Sequence, residues 1–124
     1  MKHSEAFVKL IDEVMPFIRE ISCQEVLAKL EGQSDFFLVD VREDSEWSAG
    51  RLKGSMHIGR GVLERDIEKE IPDKQMLVVL YCGGGFRSAL AAYNAQKMGY
   101  DDVMSMAGGI RRWRELAYPE EAQS

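Results

Sequence analysis

The sequence predicts an α/β fold in which one parallel sheet carries helices on both faces. Two observations support this prediction: short, continuously apolar runs that are typical of strands buried on both faces, and helical patterns that separate those runs. The clearest runs are 36–39 and 76–81, with shorter candidates at 55–58 and 102–106. A chain of 124 residues is long enough for one such domain and too short for two.

The chain begins with an amphipathic segment. Between residues 4 and 19 apolar side chains recur at helical spacing, and Pro16 is expected to bend or end the pattern. We therefore expect residues 1–19 to form a helical extension. Its apolar stripe favours packing on the domain over binding a partner or a second copy.

Further helix signals follow at regular intervals. Ser22 and Glu25 form a capping box ahead of an apolar-periodic stretch that stops at Gly32. Cys23 falls in the first turn of this helix, where we expect a partly buried packing residue rather than a reactive thiol. Later helical patterns cover residues 43–49, 61–70, 87–98 and 109–116.

These elements define the predicted domain organisation. The α/β domain is expected to run over residues 20–118, after the N-terminal extension. Residues 119–124, with the sequence PEEAQS, are expected to be a polar tail that frays.

Composition narrows the class of protein. Hydrophobic residues make up 45% of the chain and charged residues 30%, and no apolar run approaches the length of a membrane span. The beginning of the chain lacks the apolar core of a secretory signal, and two cysteines are too few for a disulfide framework, so we expect a cytoplasmic protein. A net charge of -5 disfavours nucleic-acid binding. His3 and His57 lie far apart without clustered cysteines, so we predict no metal.

The loop after the second apolar run combines a cysteine with glycines and an arginine. Cys82 follows residues 76–81 directly, and the residues that we assign to substrate binding come next: Gly83, Gly84, Gly85, Phe86, Arg87 and Ser88. Consecutive glycines let backbone N–H groups turn inward at a helix N-terminus, which creates an anion-binding concavity that favours a thiolate. Arg87 adds a permanent cation. We therefore expect Cys82 to be a nucleophile rather than a core cysteine beside a glycine turn.

The surroundings of Cys82 exclude several chemistries. The loop lacks the spacing of nucleotide-binding motifs, and it contains neither a histidine nor a second cysteine, which disfavours protease and disulfide-exchange chemistry. Phosphoester hydrolysis through a phosphocysteine and sulfur transfer through a persulfide remain. Four residues separate Cys82 from Arg87, one fewer than in cysteine phosphatases, and the shorter loop favours sulfur transfer.

Four segments together resemble a known family. LVDVREDSEW, GRLKGSMHIG, VVLYCGGGFRSALAAYNAQKMGY and MAGGIRRW occur in the order found in single-domain rhodaneses, which are sulfurtransferases, and the resemblance covers residues 20–118. It implies the three-layer rhodanese fold, with a central parallel sheet between two layers of helices. It also implies that Cys82 is the persulfide-forming cysteine and that residues 82–87 are the active loop.

The resemblance extends to supporting residues. Asp40 and Arg42 match the Asp-x-Arg signature near the active edge, for which it implies a mainly architectural role, with Arg42 paired to a nearby acid such as Glu46. The closing Gly-Gly-x-x-x-Trp element, for which we expect turn and packing roles, is matched by Gly108, Gly109 and Trp113.

The activity implied by the resemblance needs no cofactor beyond a covalent persulfide. Cys82 would take a sulfane sulfur from thiosulfate or a related anionic donor that Arg87 positions, and would pass it to cyanide, a thiol or a carrier protein. Phe86 would cover the site or simply pack. Three further arginines would either steer anions or form a solvated helix face: Arg111, Arg112 and Arg114.

The sequence is also compatible with other functions. One alternative is a persulfide carrier or partner-binding module with little small-molecule turnover. A cysteine phosphatase or an arsenate reductase is less favoured because of the short loop. We expect a monomer or a weak homodimer that binds neither nucleic acid nor membrane.

Overall fold

A computed structural model describes residues 3–122 and contains the three-layer α/β architecture that the sequence predicts. The helices are α1 (Glu5–Val14), α2 (Cys23–Glu31), α3 (Asp44–Ala49), α4 (Leu63–Glu70), α5 (Phe86–Lys97) and α6 (Gly109–Glu115). The strands are β1 (Arg19–Ile21), β2 (Phe37–Asp40), β3 (Arg51–Leu52), β4 (Met56–His57), β5 (Leu77–Tyr81), β6 (Asp102–Met106) and β7 (Glu120–Glu121). None of the helices in the described part of the chain is long and apolar enough to span a membrane.

The main sheet has the strand order β1-β6-β5-β2-β4, and all neighbouring strands are parallel. The register of β2 and β5 places Asp40 opposite Tyr81. The carboxyl ends of these two strands therefore meet at one edge of the sheet, where sites of open α/β folds lie. Cys82 follows Tyr81 at this edge.

Helices cover both faces of the sheet. On one face, α4 and α5 bury Leu63 and Ile67 together with a stripe of alanines, and these small side chains let α5 approach the strands closely. On the other face, α2 and α6 bury Val26 and Trp113 against the opposite side chains of the same strands. The continuous apolar runs in β2 and β5 are explained by this burial on two sides.

The N-terminal helix packs on the domain, as predicted. Ile11 and Val14 of α1 are buried in a cluster with Ala89 of α5. The helix begins at the cap residue Ser4, whose hydroxyl accepts a hydrogen bond from the backbone N–H of Phe7.

The helical extension ends earlier than residue 19. Pro16 lies in a single 3-10 turn, Met15–Phe17, that closes α1, and the chain then forms strand β1 beside β6. The end of the helical pattern at Pro16 agrees with the sequence-based expectation. Arg19, which we expected to belong to the helical extension, instead begins a strand that pairs with the edge of β6 and buries Ile21.

The C-terminal segment also differs from the predicted fraying tail. Glu120–Glu121 forms an antiparallel pair with Arg51–Leu52, and the carbonyl oxygen of Pro119 accepts a hydrogen bond from the indole N–H of Trp113 at 2.9 Å. Polar composition predicts a free tail, but backbone pairing does not require apolar side chains. Residues 123–124 lie outside the described part of the chain.

Candidate active site

The sulfur of Cys82 lies inside a shell of backbone amides. Cys82 is 1% exposed as a whole residue, and its Sγ accepts hydrogen bonds from the N–H of Gly85 at 3.1 Å and of Ser88 at 3.4 Å. Gly85 adopts a φ of +103°. This backbone conformation is strained for a residue that has a side chain, so the loop needs glycine at this position. The geometry favours a negatively charged sulfur, because both amides point their positive ends at it.

Two buried hydroxyl groups extend this shell. The Oγ of Ser88 lies 3.4 Å from Cys82 Sγ and 2.8 Å from the Oγ of Ser105, and both serines are fully buried. Ser105 belongs to β6 and is not among the site residues that the sequence predicts. The signal that could have found it is a serine between two methionines of the strand, since a buried hydroxyl group needs a partner.

The first turn of α6 holds the loop by its carbonyl groups. The backbone N–H of Ile110 donates to the carbonyl oxygen of Cys82 at 2.9 Å, and that of Arg111 donates to the carbonyl oxygen of Gly83 at 3.0 Å. Gly109 has φ of +59°, and a Cβ at this position would lie 2.5 Å from both carbonyl oxygens. The Gly-Gly pair therefore allows α6 to contact the active loop directly, in addition to making a turn.

We expect Gly109→Ala to lower the free energy of unfolding by about 2–5 kcal/mol, because the added methyl group combines backbone strain with overpacking. Urea denaturation measures this change. Gly61→Ala is the matched control, since a Cβ at Gly61 would have no atom within 4 Å and this glycine has no positive φ. Similar stability losses for both variants would show that Gly109 has no special role.

An ion pair beside the loop connects Arg87 to Glu46. The two guanidinium nitrogens of Arg87 lie 2.9 and 3.2 Å from the two carboxylate oxygens of Glu46. The hydrogen bond from Arg87 lowers the pKa of Glu46 despite partial burial, and the same bond raises the pKa of Arg87. Our expectation that Glu46 pairs with Arg42 is wrong, because Arg87 occupies this carboxylate.

Arg42 instead forms a buried pair with Asp40. Its Nε lies 3.1 Å from both carboxylate oxygens, and its Nη2 donates to Asp40 at 2.8 Å and to the carbonyl oxygen of Gly50 at 2.6 Å. Burial lowers the pKa of Arg42, but the hydrogen bonds and charge of Asp40 outweigh it and the net shift is upward. The pair ties the end of β2 to the end of α3, which fits the expected architectural role.

A cavity of about 450 Å³ opens beside the active loop. Residues of the loop line it, and its other lining residues come from separate parts of the chain: His3, Phe7, Glu46 and Arg111. The guanidinium nitrogens of Arg111 lie 3.6 and 3.7 Å from the position that a Cβ of residue 84 would take. Within residues 3–122 no acidic group is within ion-pair distance of Arg111. The two neighbouring arginines do have such partners, since Arg112 pairs with Glu115 and Arg114 pairs with Glu120.

The second cysteine lies in a different environment. Cys23 is buried at the start of α2, with its Sγ 3.7 Å from the carbonyl oxygen of Ala107. Burial raises the pKa of Cys23, which is the opposite of what a reactive thiol requires. Cys23 packs in a core cluster and is more deeply buried than the partial burial that the sequence led us to expect. Among residues 3–122, no three histidine, cysteine, aspartate or glutamate side chains group closely enough to hold a metal ion.

Comparison with known proteins agrees with this architecture. The family model described as the Rhodanese-like domain matches residues 22–116, and the chain belongs to this family. The thiosulfate sulfurtransferase GlpE of Pseudomonas aeruginosa is 31% identical over 121 residues, which cover 98% of this chain and 96% of that protein. The resemblance noted in the sequence is thus confirmed, and the homologues support sulfur transfer as the general class of function.

Solved structures show the same fold over nearly the whole chain. A Rhodopseudomonas palustris protein of unknown function, described as a possible tyrosine phosphatase, has a TM-score of 0.82 and 32% identity, with 98% of both chains covered. The polysulfide-sulfur transferase homodimer of Wolinella succinogenes has a TM-score of 0.80 and 27% identity, with 96% of this chain and 89% of that chain covered.

Proposed function

We propose that the protein is a sulfurtransferase that carries sulfane sulfur as a persulfide on Cys82. The observation that carries this proposal is the pair of amide N–H groups that donate to Sγ of Cys82, a residue that lines the cavity. Such donors stabilise a negative charge that is already in place, and both the thiolate and the persulfide are anions. The homologues named as sulfurtransferases support the same chemistry.

The proposed reaction has two steps and needs no external oxidant. In the first step the Cys82 thiolate attacks the outer sulfur of thiosulfate, a new S–S bond forms, and sulfite leaves with the electrons of the broken S–S bond. In the second step a nucleophile such as cyanide, a thiol or an acceptor protein attacks the outer sulfur of the persulfide. The thiolate of Cys82 is then the leaving group and is regenerated.

The charged side chains beside Cys82 have two different roles, fixing the loop and attracting an anionic donor. Arg87 forms an ion pair with Glu46, which offsets part of its charge. We therefore assign to Arg87 mainly the role of fixing the conformation of the loop. Arg111 faces the same cavity without an acidic partner in the described part of the chain. We therefore assign the attraction of an anionic donor mainly to Arg111, whereas the sequence alone assigns it to Arg87.

We expect incubation with thiosulfate to add the mass of one sulfur atom to the protein. Intact-mass spectrometry measures this gain, and peptide mapping should locate it on Cys82 and not on Cys23. Cyanide or dithiothreitol should remove it, because either reagent attacks the outer sulfur. A folded protein that gains no sulfur from thiosulfate or from any other sulfane-sulfur donor would contradict the proposed function.

A cysteine phosphatase is the second candidate, favoured by the description of the Rhodopseudomonas palustris neighbour. The loop argues against it, because the four residues between Cys82 and Arg87 enclose less space than the longer phosphatase loop. The two candidates are separated by adding an aryl phosphate to the same protein. Release of the phenol, lost in Cys82→Ser, would favour the phosphatase over the sulfurtransferase.

A further inference from the structure

The N-terminal helix reaches the catalytic cavity. His3 and Phe7 line the same cavity as Cys82, although they lie far from it in sequence. The His3 and Phe7 rings meet Phe86 of the active loop edge to face, with centroid distances of 4.7 and 5.9 Å. The His3 and Phe7 rings are 5.2 Å apart. We call these three side chains, His3, Phe7 and Phe86, the aromatic wall.

The aromatic wall gives the cavity a lining of two chemical kinds. Glu46, Arg87 and Arg111 contribute charged groups to this lining, and the three rings contribute apolar surface. A cavity of about 450 Å³ also falls in the size range of sites for small organic molecules. Thiosulfate is ionic throughout, so it has no apolar part that could cover the rings.

We infer that the aromatic wall makes the site favour small organic donors, in which an apolar or aromatic group carries the transferable sulfur, over inorganic thiosulfate. This inference rests on the proposed sulfurtransferase function and adds the class of donor to it. The apolar group of the donor contacts Phe7 and Phe86. This contact removes apolar surface of both the donor and the rings from water. The anionic end of the donor faces Arg111.

The chemistry is balanced for an organic thiosulfonate, R–SO₂–S⁻. The Cys82 thiolate attacks the terminal sulfur and forms a new S–S bond. The S–S bond of the donor breaks, and the sulfinate R–SO₂⁻ leaves with the electron pair. The product is the same Cys82 persulfide, and no oxidant or reductant is consumed.

The test compares benzenethiosulfonate with methanethiosulfonate, two donors that differ only in the group R. Single-turnover rates of sulfur addition to Cys82, followed by mass spectrometry, give a benzene-to-methane rate ratio for each protein. We expect this ratio to fall roughly 3- to 10-fold in Phe7→Ala, the loss that one aromatic contact predicts. The rate with thiosulfate is recorded for each protein as well, and the benzenethiosulfonate-to-thiosulfate rate ratio should fall in the same direction, since thiosulfate has no group that contacts the rings. Because the same two donors react with both proteins, the difference in their intrinsic reactivity cancels when the rate ratios of the two proteins are compared.

Two further variants keep the test decisive. His3→Ala removes another ring of the wall without touching the buried residues of α1, and it should lower the ratio in the same direction if Phe7→Ala fails to fold. Phe17→Ala is the matched control, because this ring is 65% exposed, lies beside Tyr93 and does not line the cavity.

The outcomes separate the inference from the function on which it rests. A rate ratio that stays unchanged in the folded Phe7→Ala and His3→Ala variants would overturn the inference while leaving persulfide chemistry intact. An equal fall in Phe17→Ala would overturn it as well, because the effect would then not come from the wall. Absence of a sulfur adduct with all three donors would instead contradict the proposed function, and the inference with it.

Discussion

Cys82→Ser is expected to abolish sulfur transfer, lowering the rate of thiocyanate formation from thiosulfate and cyanide by at least about 10³-fold. A serine hydroxyl is far less acidic than a thiol, so the loop amides would face a neutral oxygen. That oxygen also cannot form the S–S bond that stores the sulfur. Colorimetric detection of thiocyanate measures turnover, and intact-mass analysis of the same sample shows whether any adduct remains.

The matched control uses the other cysteine of the chain. Cys23→Ala should retain thiocyanate formation within about twofold, because Cys23 is buried away from the cavity and makes only weak contacts to carbonyl oxygens. The opposite pattern, with activity kept in Cys82→Ser and lost in Cys23→Ala, would show that the persulfide forms on Cys23.

The second large effect is expected at the buried pair of Asp40 and Arg42. Arg42→Gln should lower the free energy of unfolding by about 3–5 kcal/mol, because it leaves the Asp40 carboxylate buried without its counter-charge. It also removes the donor to the carbonyl oxygen of Gly50. Urea denaturation followed by circular dichroism gives the difference from the unmodified protein.

An exposed ion pair provides the comparison for this prediction. Arg65 and Asp66 approach to 2.7 Å, but the Arg65 side chain is 74% exposed, so Arg65→Gln should leave the free energy of unfolding almost unchanged. The double variant Asp40→Asn with Arg42→Gln should recover part of the stability, since it removes both charges. If Arg42→Gln were no more destabilising than Arg65→Gln, the buried pair would not organise this edge of the sheet.

Local patterns explain why much of the fold could be predicted from the sequence. The capping box of Ser22 and Glu25 needs only four consecutive residues, and it is formed in the structure at the start of α2. Strand β6 occupies the predicted residues 102–106. It could be predicted because its own apolar side chains supply the surface that is buried. The position of Cys82 at the carboxyl edge follows from the strand that precedes it.

Contacts between distant segments could not be predicted in this way. Glu46 lies close in sequence to Arg42, yet it pairs with Arg87, because the Arg42 side chain folds back onto Asp40. Strand β1 buries one of its three side chains, so its sequence contains no apolar run that would predict a strand. The strand forms because its backbone pairs with the edge of β6. The proximity of Phe7 to the active loop likewise depends on how α1 packs on α5.

The contact between α6 and the active loop has a consequence for biosynthesis. The carbonyl groups of Cys82 and Gly83 are held by amides of Ile110 and Arg111, which leave the ribosome later than the loop itself. Strand β6, which lies between β1 and β5, is also synthesised after the loop. While the nascent chain is incomplete, we expect the loop around Cys82 to lack these two hydrogen bonds. The loop would reach its final conformation only when the last helix docks, so the site would be assembled at the end of synthesis.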